Sequence, residues 1–217
     1  ASHFGGLVAG GAMKNPFDFG FDLMTTTTHK SLRGPRGGMV LCTKSLASKI
    51  DKSVFPGLQG GPHMNAVAAI AITLLKAQTD DFKNYAGQVL LNAKALAQTF
   101  LEADVSLVTG GTDNHMLVVE TSSSFGLDGR QAEEVLDEVN ITTNKQIIPD
   151  DPNPPLRPSG IRMGTPAATA RGMLEEDMRQ LGAWILKCLN NSHDKNLLGD
   201  IRGEVEKFCE RFPVPGI

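Results

Sequence analysis

The stretch Thr25-Thr26-Thr27-Thr28-His29-Lys30-Ser31-Leu32-Arg33-Gly34-Pro35-Arg36-Gly37-Gly38 constrains this chain more than any other. Four consecutive threonines are β-branched and favour extended backbone, and Gly34-Pro35 ends the run in a turn. Lys30 is thereby placed near a strand end, where reactive groups are commonly displayed. His29, Arg33 and Arg36 flank it in sequence with positive charge, which is expected to disfavour the ammonium form and help the amine act as a nucleophile. That is the chemistry of a Schiff base. Glycines permit close backbone approach and arginines pair with phosphate, so an aldehyde cofactor carrying a phosphate, such as pyridoxal phosphate, suits the stretch. Thr-His-Lys on its own reads as an ordinary strand end; the whole string is what points to chemistry.

Composition bounds the rest. The chain has 217 residues with 41% hydrophobic content, enough for a sizeable core in one or two domains. With 21 basic and 24 acidic residues, evenly mixed, and a formal charge of −3, it has no electrostatic footprint for nucleic acid or an anionic membrane. A small-molecule partner is expected. Cys42, Cys188 and Cys209 are odd in number and far apart, which argues against a disulfide framework and a zinc site and for a reducing, cytoplasmic setting. No metal is expected, since His115 has no second ligand at a suitable spacing and reads as structural. No apolar run reaches the roughly 18 residues of a membrane span, the best candidate being 66–75. The chain starts at Ala1, so the absence of a leader says little.

In chain order, residues 1–11 have no strand or cap leading into them and look cut from something longer. Residues 39–43 read as a buried strand returning beside the threonine run, and Leu46, Ile50 and Val54 give helical spacing over 45–54. The Pro- and Gly-rich stretch 55–62 breaks that helix, and either joins two helices or presents free backbone amides to an anion. Residues 63–103 are helical, as two helices or one kinked at Thr79-Asp80-Asp81, with Tyr85 and Phe100 as packing. Short strands are expected at 105–108 and 116–120, and a helix at 130–139 whose acidic residues form a solvated side. Five prolines in 149–158 make a stiff approach to Arg162, which is either a surface arginine on an edge strand or a carboxylate-binding fork in a cleft. Helices at about 169–189 and 197–211 close the chain.

The string around Lys30 closely resembles the cofactor-lysine signature of serine hydroxymethyltransferases, in which four threonines, a histidine and the Schiff-base lysine precede Leu-x-Gly-Pro-Arg-Gly-Gly. Residues 55–62 are similar to that family's Phe-Pro-Gly-x-Gln-Gly-Gly-Pro loop, and 159–166 to its Ser-Gly-x-Arg-x-Gly-Thr-Pro motif. The resemblance implies an α/β chain. Residues 1–80 would complete the large domain of a fold-type I pyridoxal-phosphate enzyme, and 81–217 would supply a linker helix and the small α/β domain with a short antiparallel sheet. It implies pyridoxal phosphate held covalently on Lys30, with His29 and Thr27 beside the cofactor and Arg36 steadying the turn. His3 matches the histidine of an Asp-x-x-His motif near the cofactor's phenolic oxygen, with Ser2 next to it; the aspartate would precede Ala1. Gly60 and Gly61 would contact the cofactor phosphate of a neighbouring subunit, so a homodimer or homotetramer with shared active sites is expected. Arg162 would hold the substrate α-carboxylate. Asn144-Lys145-Gln146 stands where the family has Asn-Lys-Asn, which puts the folate contact at Gln146 in question.

The implied activity is interconversion of serine and glycine with transfer of the one-carbon unit to tetrahydrofolate. The family's pyridinium aspartate, stacking histidine, phosphate cup and catalytic glutamate all belong upstream of Ala1, so this chain alone is expected to be inactive or weak. Two other readings share the sequence: a threonine-aldolase-like lyase that uses Lys30 without folate, and a non-catalytic fragment or assembly subunit.

Overall fold

A computed structural model describes residues 1–216. The chain forms two compact units, Ala1–Gly87 and Gln88–Ile217.

The first unit opens with α1 (Gly5–Ala9) and a single 3-10 turn, Pro16–Phe19, which starts where the Asn15 side chain accepts from the Phe17 amide and stops at the left-handed Gly20. Strand β1 (Leu23–Thr27) then pairs antiparallel with β2 (Gly38–Cys42), from Leu23 opposite Cys42 to Thr27 opposite Gly38. Alternation buries Met24 and Thr26 and leaves Leu23 and Thr25 exposed. The apolar run 39–43 does form the partner strand, but no side chain of β2 is fully buried. In a two-stranded ribbon an apolar run has no neighbour on one edge, so composition alone overstates its burial.

Helix α2 (Lys44–Lys52) follows, and the segment 53–58 bends away at Phe55 and Pro56, whose backbone is not helical. The long helical pattern over 63–103 resolves into α3 (Met64–Lys76) and α4 (Asp80–Glu102). Thr79 begins α4, its hydroxyl accepting from the Phe82 amide at 3.3 Å. Tyr85 is buried with the Arg33 guanidinium 4.7 Å from its ring centre, and burial pushes the phenol's pKa up against the opposing pull of that arginine.

The second unit takes over within α4 and continues through β3 (Met116–Glu120), α5 (Thr121–Phe125), α6 (Gly129–Glu138), β4 (Asn144–Gln146), β5 (Gly160–Gly164), α7 (Pro166–Ala170), α8 (Glu175–Asn190) and α9 (Lys195–Cys209). Its sheet is antiparallel in the order β3-β5-β4, so Arg162 stands on the central strand and not on an edge. No strand forms at 105–108. One bridge joins Leu107 to Val119, and Thr109 and Gly110 then take left-handed backbone that cannot extend a ladder. The expected single helix over 169–189 is broken at Gly172, at φ 95°, into α7 and α8.

A contiguous core fills this unit, with Phe100, Leu117, Leu136, Ile161, Ile185 and Ile201 among its buried members. Each such side chain contributes about 1.5–3 kcal/mol of transfer free energy. Asn92 is buried within it and fully bonded: its amide donates to Thr169 Oγ1 and to the Met173 carbonyl, both at 2.8 Å, and its carbonyl accepts from Gln88 at 2.9 Å. Helix α6 starts on a reciprocal box in which Asp128 accepts from the Gln131 amide and Gln131 accepts from the Asp128 amide.

Candidate active site

Strand β1 ends at Thr27, and Lys30 lies on the turn beyond it. That turn is closed by backbone bonds from Thr28 to the Gly37 carbonyl at 3.1 Å and from Gly34 to the Thr28 carbonyl at 2.8 Å. The Thr28 hydroxyl, fully buried, donates to the Pro35 carbonyl at 2.7 Å. Threonine thus serves twice here, as a β-former in the strand and as a donor inside the turn. Gly34 is required sterically, since a Cβ there would stand 2.8 Å from both the Thr28 carbonyl and the Thr73 hydroxyl.

The amino-terminal residues lie along this frame. The Ala1 amine donates to the Thr25 carbonyl at 2.7 Å, the Thr27 hydroxyl to the Ser2 carbonyl at 3.0 Å, and the Ser31 hydroxyl to the His3 carbonyl at 2.8 Å. Ser31 Oγ also accepts from the Gly6 amide at 2.9 Å, so one buried hydroxyl fastens the start of α1 to the turn. These bonds carry His3 to Lys30. Lys30 Nζ is 3.0 Å from His3 Nε2, and the lysine side chain is exposed.

His29 and Arg36 form a second pair, with Arg36 Nη1 3.4 Å from His29 Nε2. Arginine only donates, so Nε2 accepts in this contact, while Nδ1 lies 3.3 Å from the Gly37 carbonyl and 3.4 Å from the Gly37 amide. Of the three basic neighbours of Lys30 in sequence, Arg33 is turned to Tyr85 and Arg36 to His29. Sequence proximity alone could not show that division.

Gly60 and Gly61 lie in the exposed segment before α3, with open space around both and no hydrogen bond to the Lys30 turn. Arg162 and Gln146 belong to the second unit. Arg162 pairs across the sheet with Asn144 and Val118, and Gln146 with Gly160. Directly opposed residues share a face, so Asn144, Gln146 and Arg162 stand on one side of the sheet while Ile161 faces the core. Arg162 is half-buried, and its side chain makes no hydrogen bond, ion pair or ring contact with the described residues. Gln146 turns its amide to the Ile147 carbonyl at 3.1 Å, and Lys145 between them is held by Glu133 at 2.8 Å. That contact also takes Glu133 out of the purely solvated side expected of α6.

Two participants escaped the sequence reading. Ser31 looks interchangeable in its motif, and only the fold shows its hydroxyl joining two segments; Asp151 sits among prolines with no pattern to single it out.

The mixed α/β architecture, with its two small antiparallel sheets and a lysine on the turn beyond β1, is of the fold-type I class of pyridoxal-phosphate-dependent enzymes. Residues 1–185 match the family model described as serine hydroxymethyltransferase. The chain is 47% identical over 216 residues to the serine hydroxymethyltransferase of Desulfotalea psychrophila, covering 100% of this chain and 50% of that protein. It is 46% identical over 213 residues to that of Koribacter versatilis, covering 98% and 50%. The chain belongs to the serine hydroxymethyltransferase family, and spans about half the length of these relatives.

Proposed function

We propose that this chain supplies the lysine and the carboxylate-binding arginine for a pyridoxal-phosphate-dependent interconversion of serine and glycine, with tetrahydrofolate as one-carbon acceptor, in an assembly that also contains the segments its relatives carry. The observation that carries the reading is the exposed Lys30 amine 3.0 Å from His3 Nε2, on a turn fixed by Thr28 and Ser31. Among the described residues no carboxylate pairs with Lys30, Arg36 or Arg162, so these cationic groups stay open to an anionic ligand.

The residues fit the cofactor. Lys30 would hold it covalently, with His3, Ser2, Thr27, His29 and Arg36 alongside, and the unbonded amides of Gly60 and Gly61 would serve the phosphate of a neighbouring subunit in a homodimer or homotetramer. When bound, pyridoxal phosphate supplies an aldehyde for an amine to attack and an electron sink for the substrate α-carbon. The chain's own contributions are local. His3 Nε2, 3.0 Å from Lys30 Nζ, is placed to take a proton from it, which would free the amine lone pair. Arg36 steadies the His29 ring through Nε2, and Arg162 orients the substrate by its carboxylate, limiting which bond of the α-carbon can be presented for cleavage. Gln146, on the same sheet face as Arg162, is the folate-side candidate. The two units correspond in this reading to parts of the large and small domains, and the setting is cytoplasmic.

The test is a complementation. The chain, joined to the amino-terminal half of the Desulfotalea psychrophila relative, should form glycine from serine only with tetrahydrofolate present, and Lys30→Ala should abolish that activity. Tetrahydrofolate-independent cleavage of threonine or serine as the main reaction would replace this reading with an aldolase.

A further inference from the structure

The connection between β4 and β5, residues 147–159, is closed by one side chain. The Asp151 carboxylate accepts from the Ile148 amide at 3.1 Å, the Asn153 amide at 2.9 Å, the Ser159 amide at 2.9 Å and the Ser159 hydroxyl at 2.7 Å. Ile148 follows β4 and Ser159 precedes β5, so Asp151 draws the two ends of the connection together. Asn153 reinforces it, donating to Ser159 Oγ at 2.9 Å. The Ser159 carbonyl in turn accepts from the Thr121 and Ser122 amides at 2.9 and 3.1 Å, and Gly129 donates to the Pro158 carbonyl at 2.6 Å. The entry to β5 is therefore held from both sides, three residues before Arg162.

Beyond these bonds the loop is held by the Arg157–Asp128 ion pair at 2.7 Å and by the Arg157 amide, which donates to the Pro154 carbonyl at 2.9 Å. Leu156 at its tip is 78% exposed, and its prolines stiffen the path without adding amide donors. Pairing with β3 and burial of Ile161 fix the register of β5. What they leave open is the set of the β4 end against β5, at the Gln146–Gly160 pair, which lies on the face that carries Arg162.

We propose that Asp151 is a positioning residue: by clasping both ends of loop 147–159 it fixes where the Arg162 guanidinium stands to receive a substrate carboxylate. This rests on the carboxylate role of Arg162 given above. Charge-assisted bonds to a carboxylate are the strong ones, and an Asp151→Asn substitution points an amide donor at donors already in place.

Amide hydrogen exchange and the NMR signal of Arg162 Nε, followed in the chain with glycine and with methylamine as probes, separate the possibilities. In the Asp151→Asn chain, exchange at Ile148, Asn153 and Ser159 should accelerate on the order of tenfold while the β3–β5 ladder stays protected. The Arg162 Nε signal should move, and its response to glycine should need roughly tenfold more glycine, with no change toward methylamine, which lacks the carboxylate. Ser159→Ala, which removes one of the four bonds, should shift the same signals less. An Arg162 signal and glycine response unchanged by Asp151→Asn would overturn the positioning role. A wild-type chain whose Arg162 signal ignores glycine, with the exchange effect intact, would instead overturn the carboxylate role on which the proposal rests.

Discussion

The two units are held by different forces. The second is packed: its core cluster runs from α4 through β3 and β5 to α9, and the Asn92 amide buried beside it has all its partners. The first is bonded: around Lys30 the order comes from side-chain hydroxyls of Thr27, Thr28 and Ser31 and from the Ala1 amine, while Phe19, Phe55, Leu58 and Leu75 are exposed. Hydrogen bonds are directional and place atoms closely, whereas apolar burial is non-directional and supplies most of the free energy. A turn that presents a reactive amine gains from the first kind of force, and the sheet beneath Arg162 draws on the second.

This contrast gives its largest effect in the core. Phe100→Ala should destabilise the second unit by about 3–5 kcal/mol, read as a fall in the urea midpoint, whereas Leu58→Ala in the first unit should stay within about 0.5 kcal/mol. Equal effects would erase the distinction. Asn92→Ala, which orphans the Met173 carbonyl and Thr169 hydroxyl contacts, should cost about 1–3 kcal/mol in the same assay. In the first unit Ser31→Ala removes the bonds to His3 and Gly6, and a loss of about 1–2 kcal/mol is expected, detected as faster amide exchange at Gly6 with no change at Leu136.

The smallest effect depends on pH. Desolvation opposes ionisation of Asp151, but the bonds from Ser159, Asn153 and Ile148 overcome it and take the carboxyl down to about 2 from an ordinary 3.8. The unfolded chain therefore binds the proton first on acidification. The contribution of Asp151 is present above about pH 4 and is lost as pH falls toward 2. Exchange at the Ser159 amide should rise over that window and stay flat in Asp151→Asn; a rise centred above pH 5 would contradict the assignment.

The sequence was most legible where local chemistry and fold agree. The threonine run, the Gly34-Pro35 turn and the 3.6-residue pattern of α4 each announced their element, because β-branching, turn residues and periodicity act over a few neighbours. Strand β4 was missed because three polar residues, Asn144-Lys145-Gln146, carry no alternation, and they are extended only because β5 lies beside them. The helix expected over about 169–189 runs through Gly172, whose left-handed backbone is visible only in the fold. Lys30, His3 and Arg162 could be named from their motifs, but the routing of Arg33 to Tyr85 and of Arg36 to His29 follows from tertiary contacts that no spacing encodes.

The proposed chemistry depends on Lys30, and the most direct measurement is to incubate the chain with pyridoxal phosphate, reduce with borohydride and map the peptides by mass. A pyridoxyl adduct concentrated on Lys30 is expected, diminished in Ser31→Ala and His3→Ala chains that remain folded. An adduct spread evenly over exposed lysines such as Lys44 and Lys52, or none on Lys30 in a folded chain, would contradict it.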